Sequence, residues 1–77
     1  MITLQANAEA AARYDDEDPA AALDAAGDRA HLRGGRLSIL ARNGKVLPVH
    51  PGDWVVRYGP GDVGVMSDGA YRRYSGA

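Results

Sequence analysis

Asn43-Gly44 stands between two alternating apolar segments and restricts the fold more than any other stretch of the chain. Asn-Gly is the dipeptide that a two-residue type I′ turn selects, because both central residues must take positive φ. Upstream, Arg36 to Arg42 alternates, with Leu37, Ile39 and Ala41 on one side and Ser38, Leu40 and Arg42 on the other. Lys45 to Val49 is the return strand. A two-residue loop sets Arg42 opposite Lys45, Ala41 opposite Val46, Leu40 opposite Leu47 and Ile39 opposite Pro48. In that register Leu40, Leu47 and Val49 share one face, while Ile39, Val46 and Trp54 share the other. Both faces then carry apolar residues. Pro48 falls at a non-hydrogen-bonded pair, where its missing N–H breaks nothing inside the hairpin but frays the outer edge.

The chain after the hairpin is punctuated in the same way. Pro51-Gly52-Asp53 is a tight turn in which Pro presets φ, Gly accepts positive φ and the Asp53 carboxylate takes hydrogen bonds from turn N–H groups. Trp54 to Tyr58 reads as a strand with Trp54, Val56 and Tyr58 on one face, and Trp54 is expected to supply its largest apolar burial. Gly59-Pro60-Gly61-Asp62 turns the chain into a short strand, Val63 to Met66. Ser67 or Asp68 then caps a helical turn whose Tyr71 and Tyr74 share the face that packs on the sheet.

The first half reads differently. Ile2 to Ala6 is a short strand, and Asn7 caps an Ala-rich helix from Ala8 to Tyr14. The acidic run Asp15-Asp16-Glu17-Asp18 opposes the dipole at a helix C-terminus but suits the start of the next helix. Asp18 as N-cap and Pro19 at the first helical position begin that second helix, Ala20 to Ala26, and Gly27 closes it. Ala8 to Ala26 is either two short helices or one kinked helix. Leu23 is the only large apolar residue of the second, so it is expected to dock loosely. Gly34-Gly35 separates this helical half from the sheet half.

Composition bounds the rest. Of 77 residues 14 are Ala and none is Phe, so about 20 large apolar or aromatic side chains build the core. That supports one small domain over 1–77, with an acidic helical half (1–33) and a sheet half (36–74). The expected fold is α+β: a small antiparallel sheet of three or four strands, one or two short N-terminal helices on one face, and a short C-terminal helical turn. With no Cys there is neither a disulfide framework nor a thiolate metal site, which points to the cytoplasm. No apolar run approaches the ~20 residues of a membrane span. Charge is segregated: residues 1–33 carry seven acids against three arginines, and residues 34–77 carry six basic residues against three acids.

Catalytic constellations are weak. Ser38, Ser67 and Ser75 lack a G-x-S-x-G elbow, and His31 and His50 fall in or near expected turns. His31, His50 and Asp53 lack the spacing of a metal site. The glycines at 34, 35, 59 and 61 are not followed by G-K-[ST]. The chain is expected to be no enzyme, with no cofactor and no metal.

Leu37, Ile39, Asn43-Gly44, Val49, Pro51-Gly52-Asp53-Trp54-Val55-Val56, Gly61-Asp62, Tyr71 and Tyr74 follow one another in an order that resembles a small bacteriophage and prophage domain of unknown function. That family ends in a strand, a turn, P-G-D-W-[IV]-[IV], G-[ED] and a final Tyr; Asp62 stands where Glu is usual. The resemblance covers residues 36–74 and implies an α+β fold and a mobile-element origin, with no catalytic residue. The function expected on this basis is non-enzymatic binding of a host protein in the host cytoplasm, as an inhibitor of a host defence system of the anti-CRISPR type. Asp15, Asp16, Glu17 and Asp18 are the candidate contacts to a partner with a nucleic-acid-binding surface. Leu40, Arg42, Lys45, Leu47 and Arg57 are the candidates on the sheet, whose part-apolar, basic-rimmed face has the anatomy of a protein-binding patch. A second copy of the chain is another candidate partner. The alternatives are a virion-associated structural module and a weak nucleic-acid-binding module that uses Arg36, Arg42, Arg57, Arg72 and Arg73 with stacking aromatics.

Overall fold

The computed structural model describes residues 8–75, so the strand expected at Ile2 to Ala6 and its Asn7 cap lie outside the described residues. The fold is α+β, with two three-stranded antiparallel sheets where one small sheet was expected. In chain order the elements are β1 (Ala10–Arg13), α1 (Ala20–Ala26), a 3-10 turn (Gly27–Arg29), β2 (Ala30–Arg33), β3 (Arg36–Leu40), β4 (Val46–Val49), β5 (Trp54–Gly59), β6 (Asp62–Met66) and α2 (Asp68–Tyr74). One sheet is ordered β1-β5-β6 and the other β2-β3-β4. A single core of Tyr14, Ala22, Ala25, Ala26, Leu37, Ile39, Val49, Val55 and Val63 joins them.

The Ala-rich segment 8–14 is not a helix. Ala10 to Arg13 pairs with β5, Ala10 opposite Arg57 and Arg13 opposite Trp54. Helix propensity differs among residues by less than about 1 kcal/mol each, and the edge hydrogen bonds of β5 outweigh it. Alanine serves the strand because its small side chain lets α1 lie close. Ala22, Ala25 and Ala26, spaced three and four residues apart, form one helix face at 0%, 6% and 0% exposure. The expected loose docking is therefore corrected: α1 buries an alanine face against β1 and β5, and Leu23 is only partly covered.

The cap of α1 also differs. Asp18 makes no side-chain cap, and the residue before the first helical turn is Pro19. The acidic run instead closes on itself, with the Glu17 N–H donating to Asp15 Oδ1 at 3.0 Å and the Asp18 N–H to the Asp15 carbonyl at 3.1 Å. Gly27 ends the helix at positive φ, as expected, but its ψ of −132° lies outside the left-handed helical well.

Gly34-Gly35 does not separate two halves. With φ of 58° and 76° it is itself the two-residue turn of a hairpin, closing β2 onto β3 with Arg33 opposite Arg36. Asn43-Gly44, by contrast, belongs to a three-residue loop. The Gly44 N–H donates to the Ala41 carbonyl and the Ala41 N–H to the Lys45 carbonyl, which is a type I turn followed by a glycine bulge at φ 89°. The Asn43 side chain accepts from the Lys45 N–H at 3.0 Å. This extra loop residue shifts the register by one, so Ile39 faces Leu47, Leu40 faces Val46 and Ser38 faces Pro48. A slip of one residue reverses the faces. Leu37, Ile39, Leu47 and Val49 now share the core side, and Ser38, Leu40, Val46 and Pro48 share the other. Pro48 still lies at a non-hydrogen-bonded pair, on the edge strand β4.

The remaining turns follow the sequence. The Asp53 N–H donates to the His50 carbonyl at 2.9 Å, the His50 N–H donates to Asp53 Oδ2 at 3.0 Å, and Gly52 sits at φ 94°, as a type II turn with Pro at its second position requires. Ser67 caps α2 by accepting from the Ala70 N–H at 3.2 Å.

Candidate functional site

The β2-β3-β4 sheet carries the exposed apolar side chains. Leu32, 48% exposed, and Val46, 63% exposed, are the exposed large hydrophobic residues among those described, and both belong to it. Together with His31, Arg33 and Ser38 they line one open depression of about 400 Å³. The register places His31, opposite Ser38, and Val46, opposite Leu40, on the outward side of the sheet, whereas Leu32, opposite Leu37, is exposed on the edge strand β2 on the side of Leu37. From Arg29 to Gly52 the sequence contains no acidic residue, and Arg33, Arg36, Arg42 and Lys45 are all exposed there. The acids of the first half instead sit just before β1 (Glu9), in the β1–α1 loop (Asp15 to Asp18), on α1 (Asp24) and in the 3-10 turn that precedes β2 (Asp28).

The expected contact residues divide. Arg42 and Lys45 are exposed in the β3–β4 loop, and Leu40 is half-buried on the outward side of the sheet. Leu47 is removed from that surface, because the one-residue register shift turns it toward the core, where it packs partly buried. Arg57 is removed as well: its half-buried side chain lies against Gly27, where an added Cβ would approach Nη2 to 3.3 Å. There it brings positive charge to the C-terminal end of α1. Asp15, Asp16, Glu17 and Asp18 are exposed on the β1–α1 loop, apart from β2-β3-β4 in sequence. Leu32 and Val46 were not among the sequence candidates. Reading Gly34-Gly35 as a hairpin turn would have placed Leu32 on an exposed strand.

The arginines expected to meet phosphate come from separate elements. Arg36 begins β3, Arg42 lies in a loop, Arg57 is on β5, and Arg72 and Arg73 are on α2. Arg72 is already paired with Asp68, Nε to Oδ2, at 3.1 Å. His31 is on β2 rather than in a turn. His50 is in the expected turn, its Nδ1 3.6 Å from Asp53 Oδ2. Among the described residues no three His, Asp or Glu side chains gather as metal ligands, and no helix is long and apolar enough to cross a membrane.

On the other sheet, α2 is fastened to β5 by aromatic rings. Trp54 stacks on Tyr71 with centroids 3.9 Å apart and planes 9° apart, and Tyr58 meets Tyr74 edge-on at 6.1 Å. Trp54 Nε1 donates to Asp68 Oδ1 at 3.0 Å. That bond is the main effect holding the Asp68 carboxyl below its ordinary range; burial, next in size, opposes it, and the nearby Arg72 and Arg13 charges add smaller lowering effects. Burial first, then Tyr74 and Asp62, push the Tyr58 phenol upward. A carboxyl held low binds its proton more weakly in the folded than in the unfolded chain. Its contribution is therefore complete above the ordinary carboxylate range and fades as pH falls through the depressed folded value. Trp54 fluorescence followed in acid should report α2 loosening in the wild type, and Asp68→Asn should flatten that pH dependence; identical acid profiles would refute the linkage.

No protein-family model, curated protein or solved structure matches this chain.

Proposed function

We propose that this chain is a non-enzymatic binding module of bacteriophage or prophage origin that occupies a host protein, as inhibitors of host defence do. The pattern through residues 36–74 supports the origin. The observation that carries the binding reading is exposed Val46 beside half-buried Leu40 on the outward side of an acid-free, basic sheet, with Leu32 exposed on its edge strand β2. Apolar side chains ringed by arginine are the composition that protein interfaces favour over the rest of a surface. The partner face that this suits is apolar at its centre and acidic at its rim. In this reading the sheet, rather than the acidic loop alone, is the principal contact.

Affinity capture from host lysate tests it, followed by reconstitution with the purified partner. A stoichiometric complex is expected, and Leu32→Asp with Val46→Asp should weaken it at least tenfold, the usual effect of losing central contacts. Both side chains are exposed, so the thermal transition should stay close to that of the wild type. Failure to capture a stoichiometric partner, or full affinity in the double variant, would overturn the proposal. The acid-free stretch also favours a second reading, nucleic-acid binding, in which affinity falls steeply with salt. Single-stranded DNA titrated at low and high salt separates the two.

A further inference from the structure

The hairpin that carries Leu32 leaves backbone groups open along its outer side. Gly34-Gly35 is a two-residue loop, so the flanking pair Arg33/Arg36 exchanges both ladder hydrogen bonds, and His31/Ser38 does the same two residues further on. The N–H and C=O of Leu32, and those of Ala30, therefore point away from β3. The Ala30 N–H is taken up by the Gly27 carbonyl at the end of the 3-10 turn. That leaves the Leu32 N–H, with the Leu32 and Ala30 carbonyls, on an edge that pairs with no further strand among the described residues. The other edge of this sheet is a poorer one. On β4 the Ala41–Lys45 bond fixes the alternation so that the backbone groups of Val46 and Pro48 face outward, and Pro48 has no N–H to offer.

His31, Leu32 and Arg33 are all exposed along β2. Strand alternation separates them. Leu32 lies on the side of Leu37, while His31 and Arg33 lie on the outward side with Ser38 and Arg36. No acid stands between Arg29 and Gly52, and neither Arg33 nor Arg36 has an ion-pair partner among the described residues.

We infer that β2 takes an extended segment of a partner protein as a fourth, antiparallel strand, with an apolar residue opposite Leu32 and an acidic residue on each side of it. The apolar residue exchanges both backbone bonds with Leu32 and covers its side chain. The two acidic side chains fall on the other face and meet His31 and Arg33. Charge selects this occupant over a second copy of the chain. Pairing β2 with itself about Leu32 would set His31 of each copy beside Arg33 of the other and gather basic residues along the junction. This inference rests on the protein-binding reading and adds how the partner is held.

The probe is a capped pentapeptide with valine at its centre, a glutamate on each side and a threonine at each end. It is titrated into the whole chain while backbone amide resonances and amide exchange are recorded, with Kd expected on the order of 1 mM for so small a ligand. At saturation the Leu32 amide should exchange about tenfold more slowly, while the His31 and Arg33 amides, already in the β2-β3 ladder, change little. A methyl group on the valine nitrogen removes the donor to the Leu32 carbonyl and should abolish binding. The same methyl group on either glutamate nitrogen, which points away from β2, should be tolerated. Leu32→Pro removes the outward donor without touching the ladder and should lose binding, whereas Leu32→Ala keeps the donor and should weaken it about threefold. The methylated peptides put the same question to the unaltered protein. An unchanged Leu32 amide at saturating peptide would overturn the inference, as would an equal response to a peptide with lysines in place of both glutamates. So would loss of binding on methylation at the glutamates instead of the valine, or a dimer in sedimentation whose Leu32 amide is protected without peptide. A partner whose binding depends on Val46 but leaves Leu32 exchange untouched would sink the added strand while leaving the proposed function standing.

Discussion

Ile39→Ala is expected to leave much of the population unfolded at 25 °C. Ile39 is fully buried on β3, the central strand of its sheet, and belongs to the cluster that joins α1 to both sheets. Removing a buried isoleucine to alanine costs about 2–5 kcal/mol, because the cavity does not fully close. The alanine face of α1 makes closure harder still, since small side chains have no spare length with which to fill a void. A core in a chain of this size rarely supplies more than about 3–5 kcal/mol in total, so the loss is comparable to the whole stability. Urea unfolding followed by far-UV circular dichroism should show a folded baseline that is short or missing. Ile39→Val, which removes one methylene, should cost about 0.5–1.5 kcal/mol and keep a cooperative transition. Leu40→Ala, the next residue on the opposite side of the strand, should cost less than Ile39→Ala. If Leu40→Ala proved the more damaging of the two, the register of β3 would be wrong.

That pair of neighbouring residues also marks what the sequence made legible and what it did not. The α+β class, the strands of the second half, the Pro51-Gly52-Asp53 turn, the Ser67 cap and the Tyr71/Tyr74 face were all readable, because each depends on local chemistry. The Asn43-Gly44 turn was located correctly, but its length was not. Asn-Gly serves a two-residue loop and also the last two positions of a three-residue loop, and local preference does not separate them. Burial separates them. Only the longer loop puts Leu47 and Val49 on the side of Leu37 and Ile39, and a sheet with leucines on both faces was the sign that the shorter loop was wrong. Residues 8–14 misled for the opposite reason. Alanine favours a helix when alone, yet the same small side chain permits close packing of a helix on a strand, and the hydrogen bonds waiting on β5 decided it. The candidate surface inherited both errors: Leu47 was assigned outward by the register, and Leu32 was lost in a half expected to be helical.

Trp54→Ala should release α2 from the body of the protein while the β2-β3-β4 sheet stays folded. A helix of seven residues is too short to persist on its own in water, so its order depends on what it touches. None of its residues is fully buried, which leaves the Trp54–Tyr71 stack, the Tyr58–Tyr74 edge contact and the Trp54–Asp68 hydrogen bond to hold it. Truncation of Trp to Ala removes two of these three. Trp54 is half-buried and the helix it holds has no fully buried residue, so most of the loss falls on the docking of α2 and the global cost should stay well below that of Ile39→Ala. Amide hydrogen exchange separates local from global loss: the Tyr71 and Ser75 N–H groups, which bond to the Ser67 and Tyr71 carbonyls, should exchange as in an unfolded chain. The Ile39 amide should remain protected in the fraction that stays folded. Trp54→Phe keeps a smaller ring for Tyr71 to stack on but loses the N–H donor to Asp68 and part of the stacked area, so its effect on α2 should lie between those of the wild type and Trp54→Ala. If Trp54→Ala left the α2 amides as protected as in the wild type, the stack would be incidental and the helix would have to be held by Tyr58 and Tyr74 alone. Because α2 lies on the other sheet from Leu32 and Val46, the same variant should keep its affinity for a partner that binds β2-β3-β4, which makes it the control that separates folding from recognition.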